Sequence, residues 1–191
     1  MKNKTWQYIK NILFYLLVIL LGGYILIEAF FPSNSIDIFG FKSYVVITRS
    51  MEPDINVNDM VFVVKIDEED LKIGDAISFY AYLPTNQLDG EGNTIYLRSV
   101  VTHYLGDIQN DGDQIIYKTH GASADPGEFD SWNDASGDPV EIIYDDIIGE
   151  VGLVIPFVGI LLRVLYNPIM LLLITVNIVI VIIIIKLIKK K

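Results

Sequence analysis

The chain has 191 residues, no cysteine, a hydrophobic share of 52% and a formal net charge of −10. That length holds one domain plus membrane-anchoring segments. The lack of cysteine excludes disulfides, thiolate zinc sites and a cysteine nucleophile. Between Pro32 and Leu165 there are 23 acidic and 7 basic residues, while the two ends are apolar and carry lysines. So acidic a middle excludes a nucleic-acid platform, which needs a basic face.

Lys2, Lys4 and Lys10 precede an apolar run from Asn11 to Phe31 whose single charge is Glu28. At 1.5 Å per residue, about twenty residues cross a hydrocarbon core of about 30 Å. A transmembrane helix is therefore predicted over 11–31, with residues 1–10 cytoplasmic. A cleavable leader would have a shorter apolar region ending at small residues. This run ends in Glu28-Ala29-Phe30-Phe31-Pro32, which favours an uncleaved anchor. A second transmembrane helix is predicted over 166–188. It is opened by Asn167-Pro168, is apolar from Ile169 to Ile185 apart from Thr175 and Asn177, and is closed by Lys186 and the lysines of a 189–191 tail. The excess of lysine at both ends predicts that both termini are cytoplasmic. Residues 32–165 then lie outside, in a multi-pass protein of the plasma membrane.

That middle domain is predicted to be mainly β. Tyr44–Thr48, Met60–Val64, Ala76–Tyr82, Thr94–His103 and Asp113–Thr119 are short runs rich in Val, Ile, Tyr, Phe and Thr, the residues that suit a pleated surface. Asp89-Gly90-Glu91-Gly92-Asn93 and Asn110-Asp111-Gly112-Asp113 read as hairpin loops. Asp67 to Lys72 fits one helical turn. The apolar stretch Ile155 to Leu162 is too short to span a bilayer; a final strand and a surface leaning on the membrane both fit it.

Chemistry centres on Thr48-Arg49-Ser50-Met51-Glu52-Pro53, between the apolar Tyr44–Ile47 and the strand at Met60. A serine hydroxyl is a weak nucleophile until a base takes its proton. The bases are few: His103, which alternates with Val101 and Ser99, and His120, at a strand end before Gly121. A lysine base needs burial to lower its pKa, and Lys118 is the only lysine between residues 73 and 185. Acids that could orient a histidine cluster in the segment holding Asp125, Glu128, Asp130 and Asp134. Neither a metal-ligand spacing nor a phosphate-cradling glycine loop is present, so no metal and no cofactor is expected.

Six segments in order carry a resemblance: Ser50-Met51-Glu52-Pro53, Gly74–Phe79, Val101-Thr102-His103, Tyr117-Lys118-Thr119-His120-Gly121, Asp146–Val151 and Ile155–Gly159. Together they resemble the type I signal peptidases, in the Ser-His branch of the SipW-like and endoplasmic-reticulum enzymes. The resemblance covers about Val45 to Leu161. It implies a signal-peptidase-like β domain flanked by two transmembrane helices, and a membrane-bound serine endopeptidase that removes N-terminal signal peptides after small residues. It implies Ser50 as nucleophile, His103 as general base, and the Ser50 N–H with the Thr48 hydroxyl as oxyanion donors. The family's acid directly after the glycine is replaced by Ala122; Asp130 takes the orienting role, with Asp125 and Asp134 as alternatives. His120 falls in a structural or supporting place. The implied partners are signal-peptide-bearing preproteins, the lipid bilayer and secretion machinery. Substrates restricted to a few surface-fibre or matrix precursors would leave the chemistry unchanged. The substitution at Ala122 also fits an alternative of another class, a catalytically impaired, membrane-tethered binding or assembly module.

Overall fold

The structure is a computed structural model and describes residues 4–32, 34–112 and 114–189. Lys2, Lys190 and Lys191, which the predicted orientation uses, and Asp113, the predicted start of a strand, lie outside the described residues.

Runs of β-branched and aromatic residues broken by Asn, Asp and Gly form an antiparallel sheet. In chain order its strands are β1 (Phe41–Val45), β2 (Met60–Val64), β3 (Ala76–Leu88), β4 (Thr94–Asn110), β5 (Ile115–His120), β6 (Trp132–Asn133), β7 (Pro139–Val140) and β8 (Ile147–Ile155). The spatial order is β1-β2-β8-β3-β4-β5, with β6 paired to β3 and β7 to β6. The spine is the β3–β4 hairpin, in register from Ala76↔Tyr104 to Pro84↔Tyr96. Its Asp89–Asn93 loop is held by Asp89, whose Oδ1 accepts the Glu91 and Asn93 N–H groups at 2.8 Å each. These bonds, that from Asn93 foremost, hold the Asp89 carboxyl below the usual carboxylate range.

Two apolar clusters fill the domain. One gathers Leu71, Ile77, Phe79, Leu105, Tyr117 and Ile142. The other gathers Met51, Ile55, Val61, Val63 and Ile148. Each such side chain, once buried, contributes about 1.5–3 kcal/mol. The second cluster takes Met51 and Ile55 from the loop between β1 and β2, so core burial itself holds that loop down.

Several details differ from the sequence reading, among them β3, which runs on past Tyr82 to Leu88. The first strand is Phe41–Val45 rather than Tyr44–Thr48. Val46 leaves the ladder to exchange hydrogen bonds with the far end of its own loop, donating to Asp59 O and accepting from Asn58 N–H at 2.9 Å each. β4 runs past His103 to Asn110, crossing an irregularity in its pairing with β5 between Leu105 and Asp107. The stretch after Ile155 is not a final strand. Ile155 ends β8, and a short helix, α3 (Val158–Tyr166), follows.

At the N-terminus α1 (Lys4–Phe30) is apolar around its circumference. Its segment Trp6–Phe30 is long and apolar enough to cross a membrane. A one-turn helix, α2 (Ser35–Phe39), leads into β1. At the other end α4 (Pro168–Lys189) follows α3. The pieces Val158–Val164 and Pro168–Ile182 qualify as a span only when taken together, across an 84° bend. Among the described residues one single helix, Trp6–Phe30, therefore meets the requirements for a span by itself.

The junction between α1 and the sheet is built from specific contacts. Tyr24 stacks on Phe41 at 5.4 Å and meets Phe39 edge-on at 5.2 Å. Lys42 is buried at 8% exposure; its ammonium donates to Pro32 O at 2.5 Å and lies 3.3 Å from Glu28 Oε1. A buried ammonium without partners would cost several kcal/mol, so the carbonyl and the carboxylate are what make Lys42 tolerable there.

Candidate active site

Ser50 sits on the loop between β1 and β2. The loop is closed by hydrogen bonds of its own, Glu52 N–H to Arg49 O at 3.0 Å and Ile55 N–H to Met51 O at 2.9 Å. The buried Asp59 accepts the Asn56 N–H at 2.9 Å and the Phe157 N–H at 3.2 Å. From across the site the Ala122 N–H donates to Ser50 O at 2.9 Å. This approach requires glycine at 121, because a Cβ there would lie 2.7 Å from Ser50 O. Backbone on both sides thus fixes the main chain at Ser50, while its side chain remains exposed. Ser50 Oγ lies 3.5 Å from Thr48 Oγ1, a long contact for two hydroxyls.

His103 is held quite differently. It lies on β4 opposite Ile77 and is 7% exposed. Its Nδ1 is 2.7 Å from Asp130 Oδ2. An ionised carboxylate only accepts, so the ring proton belongs on Nδ1 and Nε2 is left with a free lone pair. That is the tautomer a proton acceptor needs. Asp130 Oδ2 also accepts the Thr119 hydroxyl at 2.7 Å, and Thr119 Oγ1 accepts the Trp132 indole N–H at 3.0 Å. Trp132 packs between Phe79 and His103, with ring centroids 5.2 and 5.7 Å away.

A cavity of about 450 Å³ joins the two groups. Thr48, Ser50, Val101, His103, Leu83 and Trp132 are among its lining residues. It is mostly apolar and runs between the loop after β1 and the middle of β4. No hydrogen bond joins Ser50 Oγ to the His103 imidazole among the described residues; the two line one cavity. Candidate acid–base pairs often lie apart without substrate and close when it binds.

The other acids named from the sequence are elsewhere. Asp125 is exposed. Asp134 is occupied as a turn cap, accepting the Ser136 and Asp138 N–H groups at 2.8 and 3.0 Å. His120 keeps its Nδ1 on Gly121 O at 2.8 Å and lies 5.8 Å from the Tyr104 ring, a supporting place beside the Ser50 contact. Sequence reasoning gave Thr119 only as part of a motif and did not single out Trp132. A usable signal was present: Thr119 alternates with Tyr117 on β5, and both are buried.

No protein-family model matches the chain. It is 33% identical over 85 residues, 44% of its length, to Signal peptidase I W of Bacillus subtilis (strain 168). That match covers 37% of the relative, so the likeness spans less than half of either protein. It supports kinship with the signal peptidases.

Proposed function

We propose that the chain is a membrane-bound serine endopeptidase that removes N-terminal signal peptides from exported proteins. Ser50 Oγ attacks the scissile carbonyl as His103 Nε2 takes its proton. The tetrahedral oxyanion is met by the Ser50 N–H and the Thr48 hydroxyl. Collapse breaks the C–N bond, and the proton on Nε2 goes to the leaving amine, the new N-terminus of the mature protein. A water molecule, activated by the same imidazole, then hydrolyses the acyl-enzyme. Asp130 holds the imidazole in its tautomer and stabilises the imidazolium between the two transfers. The substrate segment binds extended in the cavity, adding a strand, with small side chains beside the cut.

The observation that carries this reading is the His103–Asp130 hydrogen bond opening onto the cavity that Ser50 lines. The partial likeness to Signal peptidase I W supports the same substrate class. In this reading α1 and the apolar segment 166–188 anchor residues 32–165 outside the plasma membrane, with both termini cytoplasmic and contacts to secretion machinery. The test is cleavage of an exported precursor in vesicles by the wild-type chain and by Ser50→Ala and His103→Ala. Both variants should lose processing; full activity in either sinks the mechanism. One observation favours a second reading, an impaired binding module: Ser50 and His103 make no hydrogen bond. Precursor binding without cleavage by the wild-type chain would select it.

A further inference from the structure

The acid beside His103 comes from a loop, and loops hold catalytic groups poorly unless something fixes them. Here one residue grips Asp130 at both ends. Thr119 O accepts the Asp130 N–H at 2.8 Å, and the Thr119 hydroxyl donates to Asp130 Oδ2 at 2.7 Å. The hydroxyl has no freedom to turn away. Its oxygen already accepts the Trp132 indole N–H at 3.0 Å, and an indole only donates. The single hydroxyl proton must therefore point at the carboxylate. Thr119 is fully buried, so water cannot replace it. The loop from 120 to 129 is closed at its base, and Asp130 is fixed independently of what that loop contains.

We propose that Thr119, oriented by Trp132, is the positioning residue that fixes the Asp130 carboxylate against His103 Nδ1. It stands in for the acid that Ala122 lacks by anchoring a more distant one. This rests on the catalytic reading given above. A threonine hydroxyl at this point does two things that a packing methyl would not: it selects which carboxylate oxygen faces the histidine, and it keeps that oxygen from accepting a competing donor.

The test uses the full chain in detergent micelles, with precursor cleavage and proton NMR of 15N-histidine-labelled protein. Thr119→Val keeps the shape and removes the hydroxyl. It should lower kcat by about 10- to 100-fold, the scale of losing orientation at a reacting group, with KM within about twofold. It should also shift or broaden the low-field His103 Nδ1–H resonance. Thr119→Ser should restore kcat to within about threefold of wild type, and Trp132→Phe should fall between. Thr119→Val with wild-type kcat and an unmoved resonance overturns the proposal. So does a Thr119→Ser variant as impaired as Thr119→Val, because the hydroxyl would then be irrelevant. If the wild-type chain cleaves nothing, the catalytic reading fails and the resonance alone decides: unchanged in Thr119→Val, it overturns the clamp; moved, it supports it.

Discussion

The two halves of the candidate site are built on opposite principles. The base half is locked, with His103 and Thr119 buried and Asp130 and Trp132 half-buried: the four form a chain of hydrogen bonds of 2.7, 2.7 and 3.0 Å. The nucleophile half is exposed, its backbone fixed by Ala122 and its side chain in one loose contact of 3.5 Å. On the proposed mechanism the difference follows from what each half must do. The base needs one neutral tautomer each time it accepts a proton and one orientation throughout, which requires fixed neighbours and little water. The nucleophile must bond to carbon and release it again, so its side chain needs freedom while its main chain needs none.

Breaking the locked half should cost most. Asp130→Asn removes the acceptor that selects the tautomer and should lower kcat by about 10⁴-fold, the scale seen when a triad acid becomes an amide. Precursor binding should persist, and single-turnover cleavage measures the loss. On the loose half Thr48→Val deletes one proposed oxyanion donor and should cost about 100-fold in kcat; a loss much below that would mean the Ser50 N–H acts alone. Gly121→Ala attacks the backbone contact between the halves. A Cβ at 2.7 Å from Ser50 O must push the loops apart, costing about 1–3 kcal/mol as overpacking does. Thermal unfolding should show a lower Tm, and cleavage should fall with it.

The smallest effect lies far from both halves and serves as the control. Asp89→Ala should leave cleavage unchanged and lower Tm slightly at neutral pH. The Asp89 carboxyl is held below its ordinary value by the Asn93 and Glu91 N–H groups. Its stabilisation is therefore present above the unfolded carboxylate pKa of about 4 and is lost as pH falls through the lower folded value. Melting curves of wild type and variant should converge in acid. A gap that persists there would locate the effect outside the carboxylate.

The strands were legible because their pattern is local: β2 falls where its aliphatic run predicts, and the Asp89–Asn93 loop carries its turn residues in plain view. The length of β4 was not legible beyond His103, because it is the pairing with β5 that carries the strand on to Asn110. α3 was missed because a short apolar run has no periodicity that separates strand from helix. At the site, residue chemistry could name the candidates Ser50, His103 and a group of acids. Which acid touches His103 depends on closure of the loop between Thr119 and Trp132, and that is a tertiary event no spacing encodes. The Thr119 hydroxyl was invisible for the same reason: its role exists only once Asp130 and Trp132 converge on it.

The junction at Lys42 has a mechanical meaning. Glu28, Pro32 O and Lys42 tie the end of α1 to β1, and Tyr24 stacks on Phe41 beside them. Helix and strand are therefore tied together at Lys42, and Ser50 follows five positions after Val45, where β1 ends. On the proposed reading, this tie sets where the Ser50 loop stands relative to a bilayer that α1 crosses.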